Sequence, residues 1–259
     1  MSLYVFDMDG VLWTMDDPIP HASEVIARLQ ARGDQIYYLT NNSSKTRQDY
    51  VEKLARFGIS ATQETVMTSA YATAQILRAE GHAGKSVYVV GEQGLRRELE
   101  AVGMRLVEYD EGDRVDFVVV GWDREFTYRK LALAHAAIVR GGAAFIATNR
   151  DATYPDAGGR TLPGGGALVA AIQTCTGVAP RTIGKPEPHT LQLILRATGA
   201  APHTCLVIGD RLDTDIALGK RVGARTALAL TGVTSREDVE AAAPEQRPDL
   251  ILRDLSELP

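Results

Sequence analysis

"YVFDMDGVLW", residues 4–13, runs apolar and then breaks into two aspartates, Asp7 and Asp9, one residue apart. A short apolar run bounded in this way reads as a buried strand. The two carboxylates then stand at its carboxyl end. Like charges that close raise each other's pKa and cost stability, so either solvent screens them or a cation sits between them.

Outward from this stretch, apolar runs alternate with segments of helical period. "LYVF" (3–6), "QIYYLT" (35–40) and "TVMTS" (65–69) read as strands, with helices over 22–33, 45–58 and 70–81 between and after them. The same rhythm continues through "SVYVVG" (86–91), "VDFVVVGWD" (115–123) and "AAFIATN" (143–149), with helices at 92–103, 127–140 and 167–177. It closes with a helix ending at Gly199, the strand "TCLVIGD" (204–210), a helix near 214–222, and the strands "RTALAL" (225–230) and "DLILRDL" (249–255). Strands alternating with helices imply α/β architecture, a doubly wound parallel sheet of Rossmann-like type.

The bulk numbers narrow the function classes. At 259 residues, with 45% hydrophobic and 24% charged positions, the chain has the make-up of a soluble globular protein of one large or two modest domains. A net charge of −5 gives no basic footprint, which argues against nucleic acid or an anionic membrane surface as partner. No 18-residue apolar run or signal-peptide pattern is present, and a cytoplasmic location is expected. The two cysteines, Cys175 and Cys205, lie in apolar segments and read as reduced core residues.

In an open parallel sheet, ligands bind beyond the carboxyl ends of the strands. Here those ends carry Asp7 and Asp9, Thr40 and Asn41, and Asp210, with Asp215 five residues on and Lys185 before a helix. Carboxylates without a histidine cluster favour a hard cation with oxygen ligands, most simply Mg2+. A lysine, a threonine hydroxyl and backbone N–H groups suit a phosphate. One aspartate can attack phosphorus while its neighbour moves protons. Singly, each feature has a plainer reading. The D-x-D pair also fits a turn or a sugar-nucleotide metal motif, Thr40 a cap of the helix from 45, Lys185 a solvated side chain, and "GDRLDTD" (209–215) an acidic helix start.

Taken in order, "DMDGVLW", "LTNNSS", "GKPEP" and "GDRLDTDI" resemble the four motifs of the haloacid dehalogenase superfamily. "PIPHA", "FIATNRDATYP" and "LPGGGALVAAI" extend the likeness to the phosphatase branch with an α/β cap inserted after the second motif, the branch of p-nitrophenyl, nucleotide, pyridoxal and phosphoglycolate phosphatases. The resemblance implies Mg2+-dependent hydrolysis of small-molecule phosphate monoesters through an aspartyl-phosphate. The alternatives are a phosphotransferase or mutase using the same intermediate, or a non-catalytic binder of phosphorylated ligands. By position it makes Asp7 the nucleophile and a metal ligand. Asp9 becomes the acid and base, and ligates the metal through its carbonyl. Thr40, the Asn41 backbone and Lys185 hold the phosphoryl group. Asp210 becomes the third metal ligand, steadied by Asp215 from behind. Association through the cap into a homodimer is also implied.

The spacing argues separately for an insertion. Thr40 and Lys185 must meet at one phosphate although 144 residues separate them. About 100 of these, taken as 80–180, suffice for a small α/β domain, leaving 1–79 and 181–259 as the catalytic core. Asn149 and Asp151 follow a strand of this insert and are candidates to touch substrate, with a turn as the competing reading. Trp122 and Asp123 read as packing residues. "GHAGKS" (81–86) precedes a strand rather than opening a helix and so is no P-loop. The glycines of "LPGGG" (162–166) read as a tight turn rather than an anion cradle.

Overall fold

The computed structural model describes residues 2–108, 114–156 and 160–258. By contacts, the chain divides into two compact units, one of residues 1–40, 48–67 and 185–259, the other of 41–47 and 68–184.

The first unit is built on a six-stranded sheet in the order 250–252, 225–229, 205–209, 3–7, 35–40, 66–68. The strand Leu3–Asp7 lies between Gln35–Thr40 and Cys205–Gly209, parallel to both, with Phe6 opposite Tyr38 and Ile208. Every residue of Leu3–Asp7 is buried, as is every residue of Cys205–Gly209. That is why these strands read as continuous apolar runs: helices cover both faces of a parallel sheet. Tyr4, Phe6, Ile36, Tyr38, Leu206 and Ile208 share one core with Val25, Ile26 and Leu29 of the helix Ala22–Ala31.

The second unit carries a five-stranded parallel sheet in the order 181–182, 144–147, 117–120, 86–90, 105–106. Val118, Val120, Phe145 and Ala147 pack there with Ala134 and Ile138 of the helix Tyr128–Val139 and with Val169 and Ile172 of Gly165–Thr176. The helix Ser69–Ala79 packs on Gln93–Ala101, and the strand Arg181–Thr182 pairs with Ala144–Ala147. Both therefore group with this unit, whereas the sequence reading put its boundaries at 79/80 and 180/181.

The glycines of "LPGGG" allow a close backbone approach. A Cβ on Gly164 would lie 2.3 Å from the Asp151 carbonyl oxygen, and one on Gly166 would lie 2.3 Å from that of Arg150. The helix start is thus pressed onto the segment that carries Asn149 and Asp151. Trp122 and Asp123 pack as expected. The indole of Trp122 lies tilted against Tyr154, with ring centroids 4.3 Å apart, and donates to the Pro163 carbonyl, and Asp123 pairs with Lys130 at 2.7 Å. "GHAGKS" opens no helix.

Three features depart from the sequence reading. Short hairpins join 13–14 to 17–18 and 153–156 to 160–163, the second within a Gly/Pro-rich stretch whose residues 157–159 lie outside the described residues. A helix occupies Arg236–Ala241, begun by a reciprocal cap between Ser235 and Asp238. Cys205 is a buried core thiol, but Cys175 is exposed, on the outer side of its helix. Among the described residues, no helix is long and apolar enough to cross a membrane.

Candidate active site

The parallel register aligns the strand ends of the first unit. Asp7 is the last residue of its strand and lies opposite Leu39, so Thr40 is one step further on. Asp210 directly follows the strand Cys205–Gly209. Three carboxylates, those of Asp7, Asp210 and Asp215, offer oxygens within 4.8 Å of one another, and all three residues are buried. Lys185 is buried with them. Its Nζ donates to Asp7 Oδ1 at 2.7 Å and to Asp215 Oδ1 at 2.6 Å.

Local backbone geometry fixes these groups. Asp215 lies in a wide first turn over Leu212–Ile216, where the Ile216 N–H reaches back to the Arg211 carbonyl at 3.2 Å. That turn curls the Asp215 carboxylate onto the Arg211 N–H, at 3.2 Å. Such widened turns are over-represented at functional sites. Asp210 Oδ2 accepts from the Val233 N–H at 2.8 Å. Two glycines make room for its side chain: a Cβ on Gly10, which has φ +82°, would lie 2.5 Å from Asp210 Oδ2, and one on Gly232 would lie 2.1 Å from it. A Cβ on Gly209 would in turn fall 2.1 Å from the Asp215 Cβ. The Thr231 hydroxyl donates to the Gly10 carbonyl at 2.6 Å and ties the 231–234 loop to the turn after Asp9.

The electrostatics follow from this crowding. Burial holds the Asp7 carboxyl well above the usual carboxylate range; Lys185 opposes the shift, and Asp215 and Asp210 add to it. Asp210 is pushed up to about 7, first by burial and then by Asp215, against the Val233 N–H and Lys185. Burial alone would lower the Lys185 ammonium, but Asp215 and Asp7 hold it above its ordinary value. One lysine among three buried carboxylates leaves an excess of negative charge. A second cation would offset that excess, and the oxygen-only donor set suits Mg2+.

Asp9 is partly buried, and its Oδ1 accepts from the Trp13 indole N–H at 2.9 Å. Thr40 and Asn41 are buried. Asn41 belongs to the second unit, and there the two candidate substrate contacts meet it. Asn149 Nδ2 donates to the Asn41 carbonyl at 2.8 Å, the Ser69 hydroxyl donates to the same carbonyl at 2.5 Å, and Asn41 Nδ2 donates to Asp151 Oδ1 at 2.9 Å. Sequence reasoning missed Trp13, Gly10, Gly232, Thr231 and Val233. For Trp13 the signal was its place four residues after Asp9. For the 231–234 loop it was "TGVT" just past a strand end.

The chain is similar to known proteins along most of its length. The family model described as haloacid dehalogenase-like hydrolase matches residues 4–105, and a second, of haloacid dehalogenase (HAD)-hydrolase-like proteins, matches 182–258. The 5'-nucleotidase YutF of Bacillus subtilis is 42% identical over 234 residues, 90% of this chain and 89% of its own. A p-nitrophenyl phosphatase from Archaeoglobus fulgidus superposes with a TM-score of 0.91 at 33% identity, covering 99% of this chain and 97% of that one. The glycerol phosphate phosphatase Rv1692 from Mycobacterium tuberculosis, in complex with magnesium, superposes with a TM-score of 0.90 at 36% identity over 98% of this chain and 75% of that one.

Proposed function

The chain belongs to the haloacid dehalogenase-like hydrolases, and on that footing we propose that it hydrolyses small-molecule phosphate monoesters through an aspartyl-phosphate on Asp7, with Mg2+ as cofactor. The observation that carries the proposal is the Lys185 ammonium bridging two buried carboxylates, Asp7 and Asp215, with Asp210 beside them. A buried cluster of this kind costs stability, and groups perturbed in this way gather at functional sites.

Asp7, Asp210 and the Asp9 carbonyl would hold the metal, with Asp215 steadying the site through Lys185 and the Arg211 N–H. Bound there, Mg2+ would offset the carboxylate charge and draw electron density from a phosphate oxygen. The protein's own groups do the rest. Asp7 attacks phosphorus in line, the Asp7 oxygen–phosphorus bond forms, and the bond from phosphorus to the alcohol oxygen breaks. Asp9 gives its proton to that departing oxygen. As a carboxylate it then takes a proton from water, which attacks phosphorus and frees Asp7. Lys185 and Thr40 counter the charge on the phosphoryl oxygens, as does the backbone of Asn41, which Asn149, Asp151 and Ser69 hold.

The test is phosphate release from a panel of p-nitrophenyl phosphate, AMP, glycerol phosphate, phosphoglycolate, pyridoxal phosphate and glucose 6-phosphate, with Mg2+ and with EDTA. Wild type should release phosphate from at least one ester only with Mg2+. Asp7→Asn should release none while keeping its circular dichroism spectrum. Full turnover in EDTA, or by Asp7→Asn, would refute the proposal.

A further inference from the structure

The proposed chemistry leaves the buried charge of Lys53 without a task. Lys53, on the helix Arg47–Arg56, is 6% exposed, far less than lysines usually are. Its Nζ donates to the Met15 carbonyl at 2.5 Å and lies 3.7 Å from the exposed carboxylate of Asp16. It also stands 4.5 Å from the centroid of the Trp13 ring. Trp13 is fully buried, with Phe57 against it at 5.7 Å, and its indole N–H reaches Asp9 Oδ1 at 2.9 Å. Lysine, indole and carboxylate thus form a continuous line from the helix to Asp9.

Backbone contacts hold this line to the strand end. The Gly10 N–H donates to the Trp13 carbonyl at 2.8 Å and the Leu12 N–H to the Met8 carbonyl at 2.8 Å, closing the turn that carries Asp9. Met15, whose carbonyl Lys53 takes, has φ 58°, a left-handed conformation unusual for methionine. Lys53 therefore braces the strained hairpin turn and the indole together.

We propose that Trp13 and Lys53 are positioning residues for Asp9, fixing the direction in which its carboxyl group points. An indole N–H donates and never accepts, so Oδ1 stays an acceptor whether Asp9 is acid or carboxylate. The ammonium over the indole face holds the ring by a cation–π contact and polarises its N–H toward a stronger donor. This inference rests on the assignment of Asp9 as the acid that protonates the leaving alcohol.

Leaving-group dependence separates positioning of an acid from mere support of the fold. p-Nitrophenolate departs without help, whereas an alkoxide needs the proton. Values of kcat/KM report the step that forms the aspartyl-phosphate, and so read the acid alone. Trp13→Phe keeps the ring and removes the N–H; Lys53→Met keeps the stem and removes the charge. Each is assayed with p-nitrophenyl phosphate and with the alkyl ester of the panel that wild type hydrolyses fastest. We expect kcat/KM on the alkyl ester to fall about tenfold or more, since misplacing a reacting group by about 1 Å costs up to about a hundredfold, with the p-nitrophenyl value within about twofold of wild type. Equal losses on both substrates, or none on either, would overturn the proposal. Should Trp13→Phe fail to fold, Lys53→Met decides alone, and unfolding of both would assign the pair to stability and also overturn it. A wild type that hydrolyses no ester would instead sink the phosphatase reading, and this inference with it.

Discussion

Replacing Asp210 with asparagine should make the metal-free protein more stable at pH 8 while abolishing its response to Mg2+. The reasoning starts from burial. Asp210 is buried, lies within reach of two further carboxylates, and its carboxyl is pushed from 3.8 up to about 7. A carboxyl whose folded pKa is raised disfavours the native state once it ionises. The penalty is absent below about pH 4, where Asp210 is protonated in both folded and unfolded chains. It builds as pH rises toward 7 and is complete above that. A shift of about 3 pKa units corresponds to about 4 kcal/mol. Some of this is returned on substitution, because Lys185 loses one of the negative charges facing it. An amide oxygen at position 210 can still accept the Val233 N–H, so that contact survives. A gain of about 2–3 kcal/mol at pH 8 is the expected result. The assay is urea unfolding of wild type and Asp210→Asn in EDTA at pH 4.5 and pH 8, repeated with Mg2+. The variant's advantage should appear at pH 8 and shrink toward zero at pH 4.5. Added Mg2+ should raise the stability of wild type, as any ligand of the native state does, and leave the variant unmoved. A variant no more stable than wild type at pH 8, or one equally favoured at both pH values, would refute the account of crowded carboxylates.

Two further outcomes follow from side chains already described. Gly232→Ala would drive a Cβ to 2.1 Å from Asp210 Oδ2, so the Mg2+ concentration giving half-maximal activity should rise about tenfold or more, as loss of supporting contacts does at other metal sites; Mg2+ titration of turnover reads this. In the second unit, Asp116 accepts from the Ser86 N–H at 2.8 Å, the Ser86 hydroxyl at 2.7 Å and Lys85 at 3.1 Å, and the Ser86 contacts lead in holding its carboxyl down at about 2. Its contribution is present above about pH 4 and lost as pH falls through about 2, so Asp116→Ala should cost about 1–2 kcal/mol at pH 7, less toward pH 2, with kcat unchanged; denaturant unfolding at both pH values checks it.

The strands that carry the candidate site were legible because parallel strands covered on both faces leave long apolar runs, and "YVFD" and "CLVIGD" each end in a member of the buried carboxylate cluster. Their meeting was expected from the polar residues at both strand ends, and the two strands do pair in parallel. The sequence left unmarked whatever depends on short contacts across turns. A two-residue hairpin such as 13–14 with 17–18 has no periodicity to read, and its turn uses Met15 at positive φ where glycine or asparagine would have announced it. The helix-period pattern around Cys175 fixed its helix but not which side faces solvent, so an exposed thiol passed for a core one. Asn149 and Asp151 were singled out for their place after a strand, and both hydrogen-bond to Asn41, more than a hundred residues away in the chain. These cases share one cause. Burial on a strand or helix repeats and therefore leaves a pattern, whereas a group held by one hydrogen bond from a distant segment is specified by a single residue at each end. Asp9 has both kinds of specification. Its place at the strand end belongs to the repeating pattern, whereas the indole N–H that its Oδ1 accepts is a contact no period could reveal.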